Sequence, residues 1–260
     1  MKNSLQNTVV YTTGIIIALL ISSFTLKQVI QKKETTPTNS GFALLELFTS
    51  QGCSSCPPAD AVLGKYALEG NPNIIPLAFH VDYWNYIGWK DPFSRAEFSN
   101  RQRQYAQRMS SESTYTPQLI INGNYEVLGS NESAIKKKIN QELAVEKQSS
   151  ITIKEAQVKD NLLTVEYDVD KVSGSSVVNV ALVKKKEVTA IKRGENTGLK
   201  LTNYNIVFDF KSKSNATKSG NKIDFDLKKD WTTSDFKIVV YMQSLTNGEI
   251  TSVSQKEVTN

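Results

Sequence analysis

Residues 44–60, LLELFTSQGCSSCPPAD, place the only two cysteines of the chain between a short apolar run and the start of a helix. Two residues separate Cys53 from Cys56, so one helical turn brings their Cα atoms into disulfide range. The free N–H groups at the first turn of a helix stabilise a thiolate. The stretch therefore predicts a dithiol–disulfide redox centre.

The apolar segment near the N-terminus predicts export. Residues 8–26, TVVYTTGIIIALLISSFTL, carry no formal charge and follow Lys2. This pattern is typical of a signal peptide or a membrane anchor, and no clear cleavage site decides between them. We assign residues 1–27 to this segment and residues 28–41 to a polar linker. In either case we expect the rest of the chain at the periplasmic or extracellular face, where disulfides persist.

Length and charge limit the other possibilities. The 260 residues suffice for two domains of ordinary size, and the net charge is +5. Most of that charge lies before residue 40, so the remainder is close to neutral. No basic stripe indicates a nucleic-acid partner.

The first part of the chain has the pattern of an α/β domain, which we place at residues 42–147. Apolar runs at residues 42–48 and 74–81 flank the helix that follows Cys56, as in a parallel βαβ unit. Residues 115–130, YTPQLIINGNYEVLGS, predict a hairpin with a type I′ turn at Asn122-Gly123.

The second part, residues 148–260, alternates between apolar and polar residues, which predicts short strands in an antiparallel β-sandwich. The predicted strands are residues 151–158, 162–169, 177–183, 188–192, 205–210, 223–227, 236–243 and 249–254.

CSSC after an apolar strand, together with Thr116-Pro117 before a hairpin, resembles the thioredoxin fold. In finer detail, ELFTSQGCSSCPPAD, AFHVDYWNYIGWKDPF, YTPQ and RGENTGLKLTNYNIV resemble a bacterial family of secreted thioredoxin-like proteins with no established activity. The resemblance implies a thioredoxin-like α/β domain, followed here by the immunoglobulin-like sandwich. It also implies that Pro117 is cis and faces the dithiol, although a trans proline is the general default.

These features suggest a role for each cysteine. Cys53, at the exposed edge of the helix N-terminus, would be the nucleophile, and Cys56 would resolve the mixed disulfide. A structural disulfide and half of a zinc site are the alternatives. A zinc site needs about four ligands, and His80 is the only histidine, so we expect no metal and no cofactor.

Three further groups are candidates for the site. Glu46 interrupts the first strand and is either a proton acceptor for Cys56 or a partly solvated edge residue. His80 ends the second strand, where α/β sheets place their sites, but a lone histidine is more often structural. The aromatic residues Tyr83, Trp84 and Trp89 could bind a substrate beside the dithiol or fill a seam between the domains.

The expected activity is thiol–disulfide exchange on an envelope or extracellular protein. A substrate strand would pair with the backbone of Thr116 beside the attacked sulfur of Cys53. Since the chain has no third cysteine, a separate protein would recharge the pair. The alternative is a non-catalytic binding module in which the Cys53–Cys56 disulfide is structural.

Overall fold

The structure, a computed structural model, describes residues 41–110, 113–147, 149–171, 175–214, 216–228 and 231–259. The predicted signal or anchor segment lies outside these residues, as does nearly all of the linker. Within the described ranges, no helix is both long enough and apolar enough to cross a membrane.

In the described part of the chain, eight strands form one mixed sheet, and three more form a second, smaller sheet. The first sheet has the order β11-β10-β7-β8-β2-β1-β3-β4, and the second has the order β5-β6-β9. The strands are β1 Ala43–Thr49, β2 Ile74–His80, β3 Gln118–Ile121, β4 Tyr125–Leu128, β5 Ile151–Lys159, β6 Leu162–Val169, β7 Ser176–Ala190, β8 Lys200–Ser214, β9 Asn221–Asp226, β10 Phe236–Ser244 and β11 Ile250–Glu257. The α-helices are α1 Pro57–Glu69, α2 Ala96–Arg108 and α3 Glu132–Leu143, and two short 3₁₀ helices span Asn85–Ile87 and Thr233–Asp235.

The predicted βαβ unit and hairpin are present locally. Strands β1 and β2 are parallel, and α1 lies between them in the chain. Both strands are buried along their whole length, which explains why their sequences are almost continuously apolar. The turn between β3 and β4 has positive φ at both Asn122 and Gly123, as a type I′ turn requires.

The expected fold class, a thioredoxin-like domain followed by an immunoglobulin-like sandwich, is wrong. Strand β8 lies parallel to β2 through the pair Ala78 and Ile206, so the first sheet continues from the first part of the chain into the second. The predicted strands at 177–183 and 188–192 are one strand, β7, which pairs along its length with β8. Each of these two strands packs against two cores, because successive side chains, such as Leu182 and Val183 of β7, point to opposite faces of the sheet.

Three apolar cores hold these layers together. One face of β1 packs against α1 and α3 through Leu45, Leu47 and Leu63. The opposite face packs with residues of α2, β7, β8 and β10. The third core lies between the small sheet and strands β7 and β10. The sheet thus brings residues 50–56, which we call the cysteine loop, close to residues that lie more than a hundred positions away in the sequence.

Candidate functional site

Cys53 and Cys56 form a disulfide at the junction between β1 and α1. Their Cα atoms are 5.4 Å apart, and Cys56 is the residue before the first turn of α1. The N–H groups of Ala59 and Asp60 donate to the Cys56 carbonyl. Pro57 and Pro58 occupy the first turn, where a missing N–H removes no helical hydrogen bond.

Both cysteine side chains are buried, with 0 % exposure. This differs from the exposed Cys53 that the sequence indicates. Two loops, which follow β2 and β7, contact the residues around the disulfide. We call residues 82–93 the aromatic loop and residues 191–199 the hairpin loop.

The aromatic loop reaches the disulfide through Trp84. Its indole N–H donates to Thr116 Oγ1 at 2.8 Å, and the Thr116 hydroxyl donates to Cys53 Sγ at 3.3 Å. A Cβ on Gly52 would stand 3.3 Å from the Cβ of Trp84 and 3.2 Å from Ile87 Cδ1. A glycine at position 52 therefore allows the aromatic loop to approach the backbone closely. Gly52 does not have a positive φ, so the close approach is the reason for a glycine here.

The Thr116–Pro117 peptide bond is cis, the isomer that the resemblance implies. The Thr116 carbonyl accepts from the Ser55 hydroxyl at 3.5 Å and lies 3.9 Å from Cys53 Sγ. Both the carbonyl and the hydroxyl group of Thr116 thus lie next to Cys53 Sγ.

The hairpin loop holds the CSSC turn from its other side. Asn196 Nδ2 donates to the carbonyls of Gln51 and Cys53 at 2.8 and 2.9 Å. Glu195 Oε2 accepts from the Ser54 N–H at 2.9 Å. The two loops also touch each other, because a Cβ on Gly194 would lie 3.3 Å from both Ile87 Cδ1 and Trp89 Cβ.

A buried group of three ionisable residues, Asp60, His80 and Asp91, lies near the C-terminal ends of β1 and β2; we call it the His80 cluster. His80 Nδ1 is 2.7 Å from Asp91 Oδ2, and both side chains have 0 % exposure. The Asp91 carboxylate also accepts from the N–H groups of Gln51 and Phe93. It therefore links the histidine to the chain just before the cysteines.

Asp60 supplies a carboxyl group with a raised pKa to this cluster. It lies four residues after Cys56 on α1, on the face that packs against the sheet. Burial raises the pKa of Asp60 to about 7, against the opposing effects of His80, Thr49 and Asn203. Asp60 Oδ1 and His80 Nε2 are both buried and have no hydrogen-bond partner among the described residues.

The other two members of the cluster are held in their charged forms by each other. Burial alone would lower the pKa of His80, but the Asp91 carboxylate raises it above the ordinary value, with a smaller contribution from Asp60. Burial would likewise raise the pKa of Asp91, but His80 and two backbone N–H groups hold it lower than usual. The cluster therefore combines His80 and Asp91, each of which favours the charged form of the other, with a carboxyl group whose pKa is about 7.

Glu46 lies on the other face of β1, in what we call the Glu46 cluster: Glu46, Arg101, Tyr105 and Tyr241. Arg101 Nε and the Tyr241 hydroxyl donate to Glu46 Oε1 at 2.9 and 2.7 Å. The second oxygen, Oε2, accepts from Arg101 and Tyr105. Successive side chains of a strand point to opposite faces, so Glu46 faces away from α1, and none of its hydrogen bonds involves a cysteine.

The remaining predicted site residues lie around the aromatic loop. Tyr83 donates to Gln102 at 3.0 Å, and Trp89 donates to Gln51 at 3.2 Å, so both join the loop to buried amides. Tyr86, which projects from the same loop, is 82 % exposed. Within the described ranges, no group of three or more His, Cys, Asp or Glu residues is arranged to hold a metal ion.

Comparison with known proteins assigns a family. A family model described as "Protein of unknown function (DUF1223)" matches residues 44–243. The chain belongs to this family. The match spans the cysteine loop, the aromatic loop and the hairpin loop. No curated protein matches the chain.

Two solved structures resemble the fold. A structural-genomics protein of Agrobacterium tumefaciens is 26 % identical, with a TM-score of 0.66, and the match covers 84 % of this chain and 95 % of that one. HBP35 of Porphyromonas gingivalis has a TM-score of 0.63 at 14 % identity, covering 87 % of this chain and 77 % of that one. The second likeness concerns the fold alone.

Sequence reasoning missed Asp60, Asp91, Glu195 and Asn196. Asp60 had a local signal, since it is an acid on the apolar face of the helix that follows Cys56. Glu195 and Asn196 lie in a polar, glycine-bearing loop about 140 residues after the cysteines. Nothing in their local sequence indicates a contact with Ser54 or Cys53.

Proposed function

We propose that the protein exchanges thiols and disulfides with a protein partner through Cys53 and Cys56. The observation that carries the proposal is the hydroxyl of Thr116, which donates to Cys53 Sγ at 3.3 Å. A purely structural disulfide needs no such donor, whereas a thiolate at Cys53 would be stabilised by it. The sequence resemblance to thioredoxins, carried by CSSC and Thr116-Pro117, supports the proposal for this site and not for the fold.

The chemistry requires two successive displacements. A partner thiolate attacks Cys53 Sγ, so that a mixed disulfide forms, the Cys53–Cys56 bond breaks and the electron pair passes to Cys56. The partner's second thiolate then attacks its own sulfur in the mixed disulfide and releases Cys53 as a thiolate. The partner loses two electrons and becomes a disulfide, while the two cysteines are reduced and its two thiol protons pass to them or to solvent. The reverse sequence reduces a partner disulfide.

The sequence suggested Glu46 as the group that exchanges a proton with Cys56. We propose Asp60 for this role instead. Asp60 lies one helical turn from Cys56 with an unpartnered oxygen, and its pKa of about 7 lets it hold or release a proton near neutral pH. The Cys56 thiolate would take this proton when the disulfide opens. Glu46 faces the opposite core and already has four hydrogen bonds.

The aromatic loop would have to move before a partner reaches Cys53, because the sulfur is buried. Trp84 is held there by its bond to Thr116, so loss of that bond would open the site. The exposed Tyr86 would meet the partner first. We further propose that the partners are exported proteins and that a separate protein recharges the pair, because the N-terminal segment indicates export and the chain has no third cysteine.

Trapping the mixed disulfide tests the proposal. A Cys56→Ser variant of the full chain, expressed in a bacterial envelope, should accumulate disulfide-linked partners, since the resolving thiol is gone. Cys53→Ser is the matched control and should trap none. Equal trapping by the two variants, or by neither, would contradict exchange through Cys53.

One observation favours a second function. Both cysteines have 0 % exposure, as a disulfide that only braces the CSSC turn would have. The protein would then be a binding module that uses the surface of the aromatic loop. In that case the folded protein resists reduction at potentials above about −300 mV, and Cys53→Ser keeps its partners. Reversible reduction of the folded protein by a glutathione buffer at about −250 mV would exclude this alternative.

A further inference from the structure

The hairpin loop brings a carboxylate to the CSSC turn. Glu195 Oε2 accepts from the N–H of Ser54 at 2.9 Å, and Ser54 lies directly after Cys53. The neighbouring Asn196 is 3 % exposed and donates to the carbonyl of Cys53 at 2.9 Å. The buried amide thus fixes the loop on the turn, and the exposed carboxylate is held at one place beside Cys53.

We propose that Glu195 is a positioning residue that raises the pKa of the Cys53 thiol and lowers the reduction potential of the cysteine pair. The inference rests on the proposed function, since it concerns the acidity and potential of the same two thiols. It assigns a tuning role to a loop that lies far from the cysteines in the sequence.

The physical basis is repulsion between two anions, the Glu195 carboxylate and a thiolate on Cys53, beside the same turn. Backbone N–H groups at the start of a helix stabilise a thiolate on the preceding cysteine. The Glu195 carboxylate instead accepts from the N–H of Ser54, which precedes the helix, and adds a full negative charge next to Cys53. A second anion at Cys53 is therefore less stable than it would be without Glu195.

The other charged residues of the region are either buried away from the turn or positively charged. The His80 cluster lies on the sheet side of α1 and is buried. Lys90, Lys192 and Arg193 are exposed cations of the two loops. Among the described residues, Glu195 is the one anionic side chain with a hydrogen bond to residues 53–56.

The sign of the effect follows from the reaction. Reduction of the disulfide generates a thiolate at Cys53, so a nearby anion disfavours the reduced state. Removal of the charge should lower the pKa of Cys53 and shift the equilibrium towards the dithiol. Glu195→Gln makes this change cleanly, because the amide oxygen can still accept from Ser54.

The experiment compares Glu195→Gln with Glu132→Gln in the full chain. Glu132 is an exposed carboxylate paired with Lys65 on α1, so both variants lose one surface charge. The pKa of Cys53 is measured from the pH dependence of thiolate absorbance in the reduced protein. The redox equilibrium is measured against a dithiothreitol buffer.

We expect Glu195→Gln to lower the pKa of Cys53 by about half a unit, which raises the ratio of thiolate to thiol about threefold at any one pH. The redox equilibrium should shift about threefold towards the reduced form, or about 15 mV for two electrons. Glu132→Gln should match the wild type in both measurements. High salt should shrink the difference between the two variants, because the charge of Glu195 is exposed.

Two failures are distinguishable. If the wild-type pair cycles but the two variants agree in pKa and potential, the role of Glu195 is wrong and the proposed exchange stands. If dithiothreitol cannot reduce the folded wild type, the proposed function fails and the role of Glu195 fails with it. A changed potential with an unchanged pKa would also overturn the inference, since the charge acts on the thiolate.

Discussion

The two faces of strand β1 carry two buried charged clusters that are satisfied to very different degrees. In the Glu46 cluster, each carboxylate oxygen accepts two hydrogen bonds, and Arg101 lies within 5.7 Å of four aromatic ring centres. In the His80 cluster, Asp60 Oδ1 and His80 Nε2 have no partner among the described residues. Both clusters are buried, so exposure alone does not separate them.

The difference teaches how to distinguish a structural buried charge from a chemically useful one. A buried polar group is stable when all its hydrogen bonds are made, and Glu46 and Arg101 join β1, α2 and β10 in that way. A buried carboxyl group without a cation bonded to it keeps a proton near neutral pH, because burial disfavours its charged form and raises the pKa of Asp60 to about 7. We therefore expect the first face to contribute stability, and the proposed function assigns proton transfer to the second.

The largest expected effect comes from breaking the satisfied cluster. Arg101→Met leaves Glu46 buried without its cation and should lower the free energy of unfolding by about 3–5 kcal/mol. Chemical denaturation followed by tryptophan fluorescence measures this. The exposed pair Lys65 and Glu132 provides the control, because Lys65→Met should cost less than about 1 kcal/mol.

A double variant sharpens the same prediction. Glu46→Leu combined with Arg101→Met removes both charges and should recover part of the lost stability, because no unpaired ion remains. If Arg101→Met alone costs no more than the exposed Lys65→Met, the Glu46 cluster contributes little to stability.

The next largest effect concerns the pH dependence of stability. The pKa of Asp60 is about 7 in the folded state and 3.8 as its ordinary value, so the folded protein binds the extra proton between these pH values. Stability should therefore fall as pH rises from about 4 to 7. Asp60→Asn removes this titration and should be about 2 kcal/mol more stable than the wild type at pH 8, less than the full shift implies because His80 is coupled to it.

Unfolding curves measured between pH 4 and pH 8 check this expectation. The raised pKa of His80 gives the same sign, since its contribution is present at low pH and is lost as pH rises through the folded pKa. The free energy of unfolding of Asp60→Asn should therefore change less with pH than that of the wild type, but it should still depend on pH. Parallel curves for the two proteins would show that Asp60 is ionised throughout.

The sequence predicts the local elements of this site better than its surroundings. The cysteines lie between a strand and a helix, and the Asn122-Gly123 turn is where the hairpin rules place it. These features depend on neighbouring residues, whose preferences are written in short stretches. They are also shared by several architectures, so they did not fix the fold class.

The long-range features had no comparable signal. The pairing of β2 with β8 joins Ala78 to Ile206, and Asn196 reaches Cys53 across 143 positions. Alternating apolar residues predict that β8 is a strand but not which strand lies beside it. The error in fold class follows directly, because a sheet shared by both parts of the chain has the same local pattern as two separate sheets.

The smallest of the expected effects tests which face of β1 carries the proton. Asp60→Asn cannot supply a proton to Cys56, so reduction of the protein by a dithiol near pH 7 should slow by about tenfold, because a thiolate leaves readily and needs less assistance than other groups. The wild-type rate should follow an ionisation near pH 7 that the variant lacks. Glu46→Gln, compared at equal folded fraction, should keep the wild-type pH profile, since its carboxylate faces the opposite core. The opposite result, in which Glu46→Gln loses the ionisation near pH 7 from its reduction rate and Asp60→Asn retains it, would mean that the proton passes through the Glu46 cluster. The assignment of proton transfer to the His80 cluster would then be wrong.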